Sequence, residues 1–296
     1  MLNDYFKDKY GKKILKLSIN AGFSCPNREN GLNGCLFCSE AGSGEFGGNV
    51  KKSITEQIEE QIKFLSYKNK SDSYIAYFQS FTNTYDSIDN LKRKYFEALN
   101  HEKVIGLAIA TRPDCINNSI INLLEEINEK YELWVELGFQ TSNENTAKLI
   151  RRGYINEVFK NTVNKLNNSK IKTVAHLIFG LPYESEKDWL NSINYLANKN
   201  LWGIKFHSLY IQKNSDLYDF YLKNKFKIID KEEYISIVSK ALGLIPKEYV
   251  VHRVTGDADK TELFLPKWSA DKLSVICSIQ KKLKEDSILQ GSNYIE

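Results

Sequence analysis

The sequence predicts an α/β fold, a partial (β/α)6 TIM-like barrel followed by a C-terminal extension. Two observations predict it: six apolar runs of strand length recur between residues 13 and 210, and helical patterns lie between successive runs. This alternation is typical of a parallel sheet with right-handed crossovers. A complete eightfold barrel would need two more units than the sequence shows.

The predicted strands share a high content of apolar residues over seven to nine positions. They are KILKLSI (13–19), SYIAYFQ (73–79), VIGLAIAT (104–111), LWVELGFQ (133–140), KTVAHLIFG (172–180) and GIKFHSLY (203–210). The first intervening helix is predicted after Ser53, which forms a capping-box pattern with Glu56 ahead of apolar residues at helical spacing. Further helices are predicted at about 87–100, 116–129, 154–168 and 185–199.

Alternation within the strands predicts which side chains face the barrel interior. In the fourth strand one face is wholly apolar and should pack on the helices, so the face with Trp134, Glu136, Gly138 and Gln140 should look inward. Lys205 and His207 share a face of the sixth strand, and His176 lies on the fifth. Converging polar groups favour a substrate cavity over a dry core. For His176 alone, a hydrogen-bonded core role is the alternative.

After about residue 245 the alternation stops. We therefore divide the chain into a barrel, 1–245, and a C-terminal extension, 246–296, packed on the barrel and ending in a helix at about 270–285. Within that helix Cys277 falls in an apolar pattern, which predicts a core position.

Composition excludes several classes of protein. With 42% apolar and 26% charged residues, the 296-residue chain is typical of a globular protein rather than a disordered one. The first residues are polar, and no apolar stretch approaches the roughly 20 residues of a membrane span, so we expect a cytoplasmic protein without a membrane partner. A net charge of +4 is compatible with a phosphate-bearing substrate.

Three of the five cysteines lie close together, as Cys25, Cys35 and Cys38 in SCPNRENGLNGCLFCS. An odd, clustered set is not the framework of a disulfide-rich secreted protein, and metal binding is the better interpretation. Zinc would need a fourth ligand from a distant part of the chain. A four-iron cluster held by three thiolates would keep one iron open for a substrate or cofactor. The cysteines follow the first strand, at the end where parallel α/β folds place active sites.

Around these cysteines the chain resembles the radical SAM superfamily, whose usual motif is Cys-x3-Cys-x-aromatic-Cys, with Phe37 in the aromatic place. The longer first gap resembles the elongator-type and YtqA/YhcC-like subfamilies. Six blocks resemble the YtqA/YhcC-like group, which includes the MnmL-type enzymes of bacterial tRNA, and they occur in the same order. They are INAGFSCPNRENG, YFQSFTNTY, ATRPDC, ELGFQTSNENTAKLIRRG, HLIFGLPYES and HRVTGD.

The resemblance implies a barrel of radical SAM type and two cofactors. Cys25, Cys35 and Cys38 would bind a [4Fe-4S] cluster, and its open iron would chelate S-adenosylmethionine. An electron from a donor such as flavodoxin or ferredoxin would then cleave S-adenosylmethionine to methionine and a 5′-deoxyadenosyl radical, which abstracts hydrogen from the substrate.

The resemblance also implies residues that bind S-adenosylmethionine. Phe37 would lie against the adenine, or shield the cluster from solvent. QSFTNTY, residues 79–85, replaces the Gly-Gly-Glu motif of other superfamily members, which makes Gln79, Thr82 and Asn83 candidates for the methionine end.

Gln140 and Arg152 match superfamily members that use a pair with this spacing for the ribose hydroxyls and the methionine carboxylate. An arginine fork suits a carboxylate. The alternative for Arg152 is a solvated residue beside Arg151. Glu136, deeper on the same face as Gln140, would reach the cofactor or the substrate.

The remaining candidates lie towards the substrate and are proposed as catalytic: Lys205, His207, His176, His252 and Arg253. Each of them taken alone is more often structural. Cys115, in RPDC, either approaches the cavity or is an inert core thiol. GSGEFGG, residues 42–48, lacks the spacing of a phosphate-binding loop, and we interpret it as a flexible connection to the helix at Ser53.

The leading functional hypothesis is a radical SAM enzyme that acts on tRNA. The MnmL-like resemblance implies removal of the carboxymethyl group from carboxymethylaminomethyluridine at the wobble position, which leaves aminomethyluridine. The sequence carries no RNA-binding motif of its own. The alternatives are a radical SAM enzyme with a small metabolite or peptide as substrate and, more distantly, a zinc-binding module without enzymatic activity.

Overall fold

The computed structural model describes residues 1–29, 31–40, 42, 47–67 and 71–295. Residues 43–46 lie outside the described part, so the interpretation of GSGEFGG as a flexible connection stays a prediction. Among the described residues, no helix combines the length and the apolar character that crossing a membrane requires.

The first half of the chain alternates helices and strands as the sequence predicts, with one additional helix at the start. Its elements are α1 (Leu2–Tyr10), β1 (Leu15–Ile19), α2 (Ile54–Ser66), β2 (Tyr74–Phe78), α3 (Ile88–Leu99), β3 (Val104–Thr111), α4 (Asn118–Asn128) and β4 (Glu132–Gln140). The capping box predicted at Ser53 is present, because its hydroxyl accepts from the Glu56 backbone and the Glu56 carboxylate accepts from the Ser53 backbone.

The second half continues the alternation and adds a short two-stranded sheet. Its elements are α5 (Glu144–Leu149), α6 (Asn156–Asn168), β5 (Lys172–Phe179), α7 (Glu186–Ala197), β6 (Gly203–Ser208), β7 (Ile211–Gln212), α8 (Asp216–Asn224), α9 (Lys231–Leu244), β8 (Val250–Arg253), β9 (Leu263–Leu265) and α10 (Lys272–Glu285).

The main sheet has seven strands in the order β1-β2-β3-β4-β5-β6-β8, and every neighbouring pair is parallel. This curled sheet with helices around it confirms the predicted partial barrel. The sequence predicted six strands, and the seventh is β8, which pairs with β6 from within the segment assigned to the extension. It was missed because four residues are too short for a recognisable apolar run. The division of the chain at residue 245 stays a prediction.

The two faces of the sheet pack as the alternation in β4 predicts. Leu133, Val135, Leu137 and Phe139 belong to the large cluster between sheet and helices. Trp134 belongs instead to the interior cluster, where it meets Phe6 of α1. The inward direction of the Trp134–Gln140 face is thereby confirmed, and that face ends in polar residues at the carboxyl end of the strand.

Helix α1 closes the amino-terminal end of the barrel around a buried carboxylate, Glu132. The Tyr5 hydroxyl (2.9 Å), the Tyr10 hydroxyl (2.7 Å) and Lys9 Nζ (2.6 Å) donate to Glu132, and so does Lys172. Burial opposes ionisation, but these donors hold the pKa of Glu132 at about 2. A charged, fully hydrogen-bonded Glu132 therefore fixes α1 across this end.

At the opposite end, an apolar cluster holds the cysteine segment against the strands. It joins Leu36 to Leu209, Ile211 and Leu217, and Phe37 packs against it. A bridge between Ser39 and Ser215 adds a backbone connection. Elements from the second half of the chain thus position the segment that carries the cysteines.

The prediction that Cys277 lies in the core is wrong, because its side chain is exposed. Helix α10 packs through Val275 and Ile279, four residues apart on one face. Cys277 lies midway between them in sequence and therefore on another side of the helix.

Candidate active site at the carboxyl ends of the strands

A cavity of about 380 Å³ lies at the carboxyl ends of the central strands, and it brings together most of the predicted site residues. Those that line it are Cys25, Cys35, Cys38, Phe37, Gln79, Thr82, Glu136, Gln140, Arg152, His176, Lys205, His207 and Arg253. Asn83 and His252 do not line it. The cavity therefore joins the cysteines at one side to the inward polar groups of β4, β5 and β6 at the other.

The cysteine segment is held in place by backbone hydrogen bonds. A short 3-10 turn at Pro26–Arg28 follows Cys25. The Leu36 amide donates to the Ile150 carbonyl (3.0 Å), and the Cys38 amide donates to the Cys35 carbonyl (3.0 Å). Three thiols consequently face one cavity from a compact segment.

Asn27 supports the second cysteine directly. Its Nδ2 donates to Cys35 Sγ (3.3 Å) and to the Arg151 carbonyl (2.7 Å). A hydrogen bond with Cys38, and then the bond from Asn27, lower the pKa of the Cys35 thiol to about 7. A thiol stabilised as thiolate is the donor that iron requires, so the residues present fit an iron-sulfur cluster.

The cysteines do not form a site for a single ion. Among residues 1–29, 31–40, 42, 47–67 and 71–295, no three Cys, His, Asp or Glu side chains are grouped so that they could hold one metal ion. A four-iron cluster takes one thiolate for each iron and does not require that convergence.

The insert between Cys25 and Cys35 is tied to the rim of the cavity. Arg28 donates to the Ser39 carbonyl, and its guanidinium lies 5.4 Å from the centre of the Phe81 ring. The Tyr85 hydroxyl donates to Glu29 (2.7 Å). The described residues of the insert therefore support the cysteine segment.

Arg152 is fully buried, so the alternative of a solvated residue is wrong. Its Nη1 donates to the carbonyls of Phe139 and Thr141 (both 2.9 Å), and its Nε donates to the Tyr154 carbonyl (2.8 Å). Its Nη2 lies 3.2 Å from Glu144. These bonds position the end of β4, where Gln140 leaves the strand; the role of Arg152 towards a carboxylate stays a prediction.

The QSFTNTY segment follows β2 and crosses the carboxyl end of the sheet. Gln79 accepts from Ser18 (3.3 Å), and the Thr82 amide donates to the Ser24 carbonyl (3.2 Å). Asn83 is buried outside the cavity, where its Nδ2 donates to the Ala110 carbonyl (2.8 Å). Gln79 and Thr82 therefore line the cavity, while Asn83 joins this segment to β3.

Glu136 is the centre of a buried polar cluster on the cavity wall. Its Oε2 accepts from His176 Nε2 (2.7 Å), Lys205 Nζ (2.8 Å) and the Tyr77 hydroxyl (2.9 Å). Its Oε1 accepts from Trp134 Nε1 (3.0 Å). Lys205 also donates to the Tyr77 hydroxyl (2.9 Å), so that side chains from β2, β4, β5 and β6 form one network.

The electrostatics of this cluster separate the roles of its members. Burial opposes ionisation of Glu136, but Lys205, Lys16 and His176 hold its pKa well below the usual range. Burial lowers the pKa of Lys205 to about 7 and that of His176 to about 4. Near neutral pH, Glu136 is a carboxylate, His176 is uncharged, and Lys205 Nζ can hold or release a proton.

The other two histidines occupy different surroundings. His207 lines the cavity, with its ring centre 5.4 Å from that of His176. His252 lies behind the cavity wall, where its ring contacts Trp134 and Trp202 edge-on. Burial lowers the pKa of both imidazoles well below the usual value. The structure thus places His207 with the predicted substrate-side residues and His252 in the aromatic packing beneath them.

Comparison with known proteins identifies the family. The family model of the radical SAM superfamily matches residues 19–196, and that of the radical SAM C-terminal domain matches residues 201–285. The chain belongs to the radical SAM superfamily. The cofactors of these enzymes are a [4Fe-4S] cluster and S-adenosylmethionine, as the resemblance implied.

Relatives of this radical SAM protein confirm the predicted subfamily. YtqA of Bacillus subtilis is 37% identical over 98% of the chain and 91% of its own length. The tRNA uridine(34) acetyltransferase of Methanocaldococcus infernus is 27% identical over 57% of the chain and 32% of its own length. The solved structure of the archaeal M. infernus Elp3 with an N-terminal deletion has a TM-score of 0.68 at 19% identity, over 79% of the chain and 59% of that structure, which supports the fold.

Several cavity residues of this radical SAM protein were not predicted. Tyr77 was detectable, since the alternation in SYIAYFQ places it two positions before Gln79 on the same face. Tyr154 and Arg112 line the cavity from loops, where the sequence has no alternation that would predict which way a side chain points. Cys115 lies beside Asp114 outside the cavity, and burial raises the pKa of its thiol to about 12.

Proposed function

We propose that this radical SAM protein modifies tRNA, converting carboxymethylaminomethyluridine at the wobble position to aminomethyluridine. The observation that carries the proposal is the single cavity that connects Cys25, Cys35 and Cys38 to the polar cluster around Glu136. A cofactor bound at the cysteines and the modified uridine base bound at the Glu136 cluster would occupy adjoining parts of the same cavity.

The resemblance to the YtqA/YhcC-like group and the similarity to the tRNA uridine(34) acetyltransferase of M. infernus support a uridine of tRNA. A wobble base belongs to a single-stranded loop and can turn outward into such a cavity. We expect recognition of the rest of the tRNA to occur on the surface around the cavity mouth.

The cysteines would hold three irons of a [4Fe-4S] cluster, and the fourth iron would take the amino and carboxylate groups of S-adenosylmethionine. When bound, S-adenosylmethionine supplies the radical that abstracts hydrogen from the substrate. Phe37 and Gln140 line the cavity beside the cysteines, where they would orient the adenosyl part. Lys205, with a pKa of about 7, would hold or deliver a proton at Nζ next to the reacting base.

Anaerobic reconstitution tests the cofactor part of the proposal. With iron and sulfide the protein is expected to bind four irons and show the broad absorbance of an iron-sulfur cluster. With S-adenosylmethionine and reductant it is expected to form 5′-deoxyadenosine. Cys38→Ala should lose both, whereas the matched Cys277→Ala, at an exposed site on α10, should retain both. Zinc without iron in the reconstituted protein would contradict the enzyme assignment.

Nucleoside analysis tests the tRNA part. In tRNA from a strain that lacks the gene, carboxymethylaminomethyluridine should accumulate and aminomethyluridine should disappear. The purified protein should reverse that change in vitro. If 5′-deoxyadenosine forms but the tRNA nucleosides are the same with and without the gene, the substrate is of another class, such as a small metabolite or a peptide.

A further inference from the structure

We propose that the end of the cavity formed by β6 and β8 is a subsite for a carboxylate group of the substrate, with Arg253 and His207 as its ligands. The inference rests on the proposed tRNA reaction, because the base named there carries a carboxymethyl group. It goes beyond that reaction by assigning the group that this part of the cavity recognises and the residues that recognise it.

The first observation is that two lysines share one buried carboxylate, Glu136. Lys205 Nζ lies 2.8 Å from the Glu136 carboxylate, and Lys16 Nζ lies 3.7 Å from it. Glu136 and Lys205 are almost completely inaccessible to solvent, and the Lys16 side chain is only 23% exposed. One carboxylate is therefore shared by two lysines, and burial lowers the pKa of both amino groups.

Asp257, which lines the same cavity, is likewise shared by two basic residues. Arg253 Nη2 lies 2.8 Å from Asp257 Oδ2, and Lys272 Nζ lies 2.7 Å from the same atom. Of these three residues Arg253 and Asp257 line the cavity, and the Arg253 side chain is only 26% exposed. A carboxylate bound beside Arg253 would offset the second cation that Asp257 alone does not balance.

The second observation is a pair of buried polar atoms without partners. Ser208 Oγ and His207 Nε2 are inaccessible, and within the described ranges neither has a hydrogen-bond partner. Ser208 is in register with Phe179 of the helix-facing cluster, so its hydroxyl lies on that side of the sheet, whereas His207 shares the inward face of β6 with Lys205 and lines the cavity. Buried polar atoms in folded proteins are nearly always paired, so the unpaired ring nitrogen of His207 indicates the place of a ligand group.

The third observation concerns the donors of Arg253. A guanidinium carries five N–H groups, and in the part of the chain that the structure describes the side chain makes one hydrogen bond, from Nη2 to Asp257. The residue lines the cavity and faces Lys205 in the register of β6 and β8. A planar guanidinium group with free N–H donors can bind both oxygens of a carboxylate.

The position of these groups favours a carboxylate on the base over a phosphate of the RNA backbone. If Gly256 carried a Cβ atom, that atom would lie 3.2 Å from the Tyr210 ring and 3.6 Å from His207 Nδ1. The backbone at Gly256 therefore packs close to both side chains, which leaves little space at this end of the cavity. A small planar group on a base that has turned inward can reach such a place, whereas the backbone follows the outside of a bound RNA.

The charge state of Lys205 is consistent with this subsite. Burial lowers its pKa to about 7, and the positive charges of Lys16 and Arg253 add to the effect of burial. A bound carboxylate would reduce that repulsion and favour the protonated amine.

Binding measurements without turnover test the subsite. The reconstituted full-length protein, with S-adenosylmethionine and without reductant, is titrated with two anticodon stem-loop RNAs. One carries carboxymethylaminomethyluridine and the other its carbamoyl analogue, which has the same shape without the charge. We expect the carboxylate RNA to bind at least about tenfold more tightly, as typical for a charged group with dedicated partners.

Variants assign this preference to residues. Arg253→Gln should bring the ratio of the two dissociation constants close to 1, and His207→Phe should lower it roughly threefold, since a neutral hydrogen bond contributes less than a charged one. Lys240→Gln, which removes a lysine paired with Glu186 on the surface, should leave the ratio unchanged. Cluster absorbance and thermal melting verify that each variant is folded.

The outcomes separate the subsite from the proposed function. Equal affinity for the two RNAs, binding of neither, or an unchanged ratio in Arg253→Gln overturns the subsite, even if the tRNA nucleosides depend on the gene. A ratio that depends on Arg253 supports the subsite, even if nucleoside analysis shows that another carboxylate-bearing substrate is the one converted.

Discussion

Replacement of Glu136 by glutamine is expected to destabilise the protein strongly, although the shape of the side chain hardly changes. Glutamine retains one acceptor oxygen and presents an NH2 group in place of the other. If the oxygen keeps the bonds with His176 and Lys205, the NH2 group faces the indole N–H of Trp134, and two donors are left without an acceptor. The loss of charge also leaves Lys205 and Lys16 without their shared counterion.

The expected magnitude follows from this geometry. Removal of one partner from a buried ion pair costs about 3–5 kcal/mol. Unfolding entropy of about 2.1 cal/mol/K per residue gives roughly 0.6 kcal/mol/K for this chain, so the melting temperature should fall by about 5–8 °C. Thermal denaturation followed by circular dichroism at pH 7, on the apoprotein, measures the change without interference from the cofactors.

Two further variants make the test specific. Combining Glu136→Gln with Lys205→Met removes the uncompensated charge and should recover part of the lost stability. Glu186→Gln removes a carboxylate whose side chain is 53% exposed and whose partner is Lys240, and it should leave the melting temperature unchanged. A decrease below 2 °C for Glu136→Gln, or no recovery in the double variant, would refute the view that Glu136 is a buried counterion.

Three other predictions address separate parts of the molecule. In the folded protein the pKa of Glu132 is about 2, below its unfolded value, so the contribution of Glu132 to the free energy of unfolding is present above pH 4.5 and is lost as the pH falls towards 2. Glu132→Gln should therefore make the free energy of unfolding in urea less dependent on pH between 2 and 4.5. Arg152→Met removes the donors to three carbonyls, of which that of Phe139 keeps the Thr141 amide, and it should lower the unfolding free energy by about 3 kcal/mol, with Arg152→Lys intermediate in the same urea titration. Gly138→Ala places a Cβ 2.6 Å from Gln140 Nε2, so equilibrium dialysis should show weaker binding of S-adenosylmethionine with the iron content unchanged, and equal affinity would contradict a role for Gln140.

Much of the fold could be predicted because its signals are local. Strand β4 carries an apolar face and a polar face in strict alternation, and each side chain lies on the side that the alternation predicts. Helices α2, α3, α4, α6 and α7 begin close to their predicted positions because capping residues and apolar spacing lie within a few residues of one another, whereas the short helix α5 was not predicted. Helix α1 was missed because its stability comes from contacts with Trp134 and Glu132, more than 120 residues away.

The site was predictable where residues lie on strands and less so where they come from loops. Glu136, His176 and Lys205 could be placed on the inner face by counting alternate positions, but their contact depends on the register between neighbouring strands. The bonds that Arg152 makes to the end of β4 depend on the path of a loop. His252 shows the limit of reasoning from residue type, because a histidine in strand β8 lies among aromatic rings behind the cavity.

The seal that α1 forms over the amino-terminal end has a consequence for the order of events during turnover. With that end filled by Phe6 and the bonds to Glu132, small molecules reach the cysteines from the opposite end of the sheet. A macromolecular substrate would cover that same end. We therefore expect sequential kinetics, in which S-adenosylmethionine binds first and its fragments leave only after the large product has dissociated.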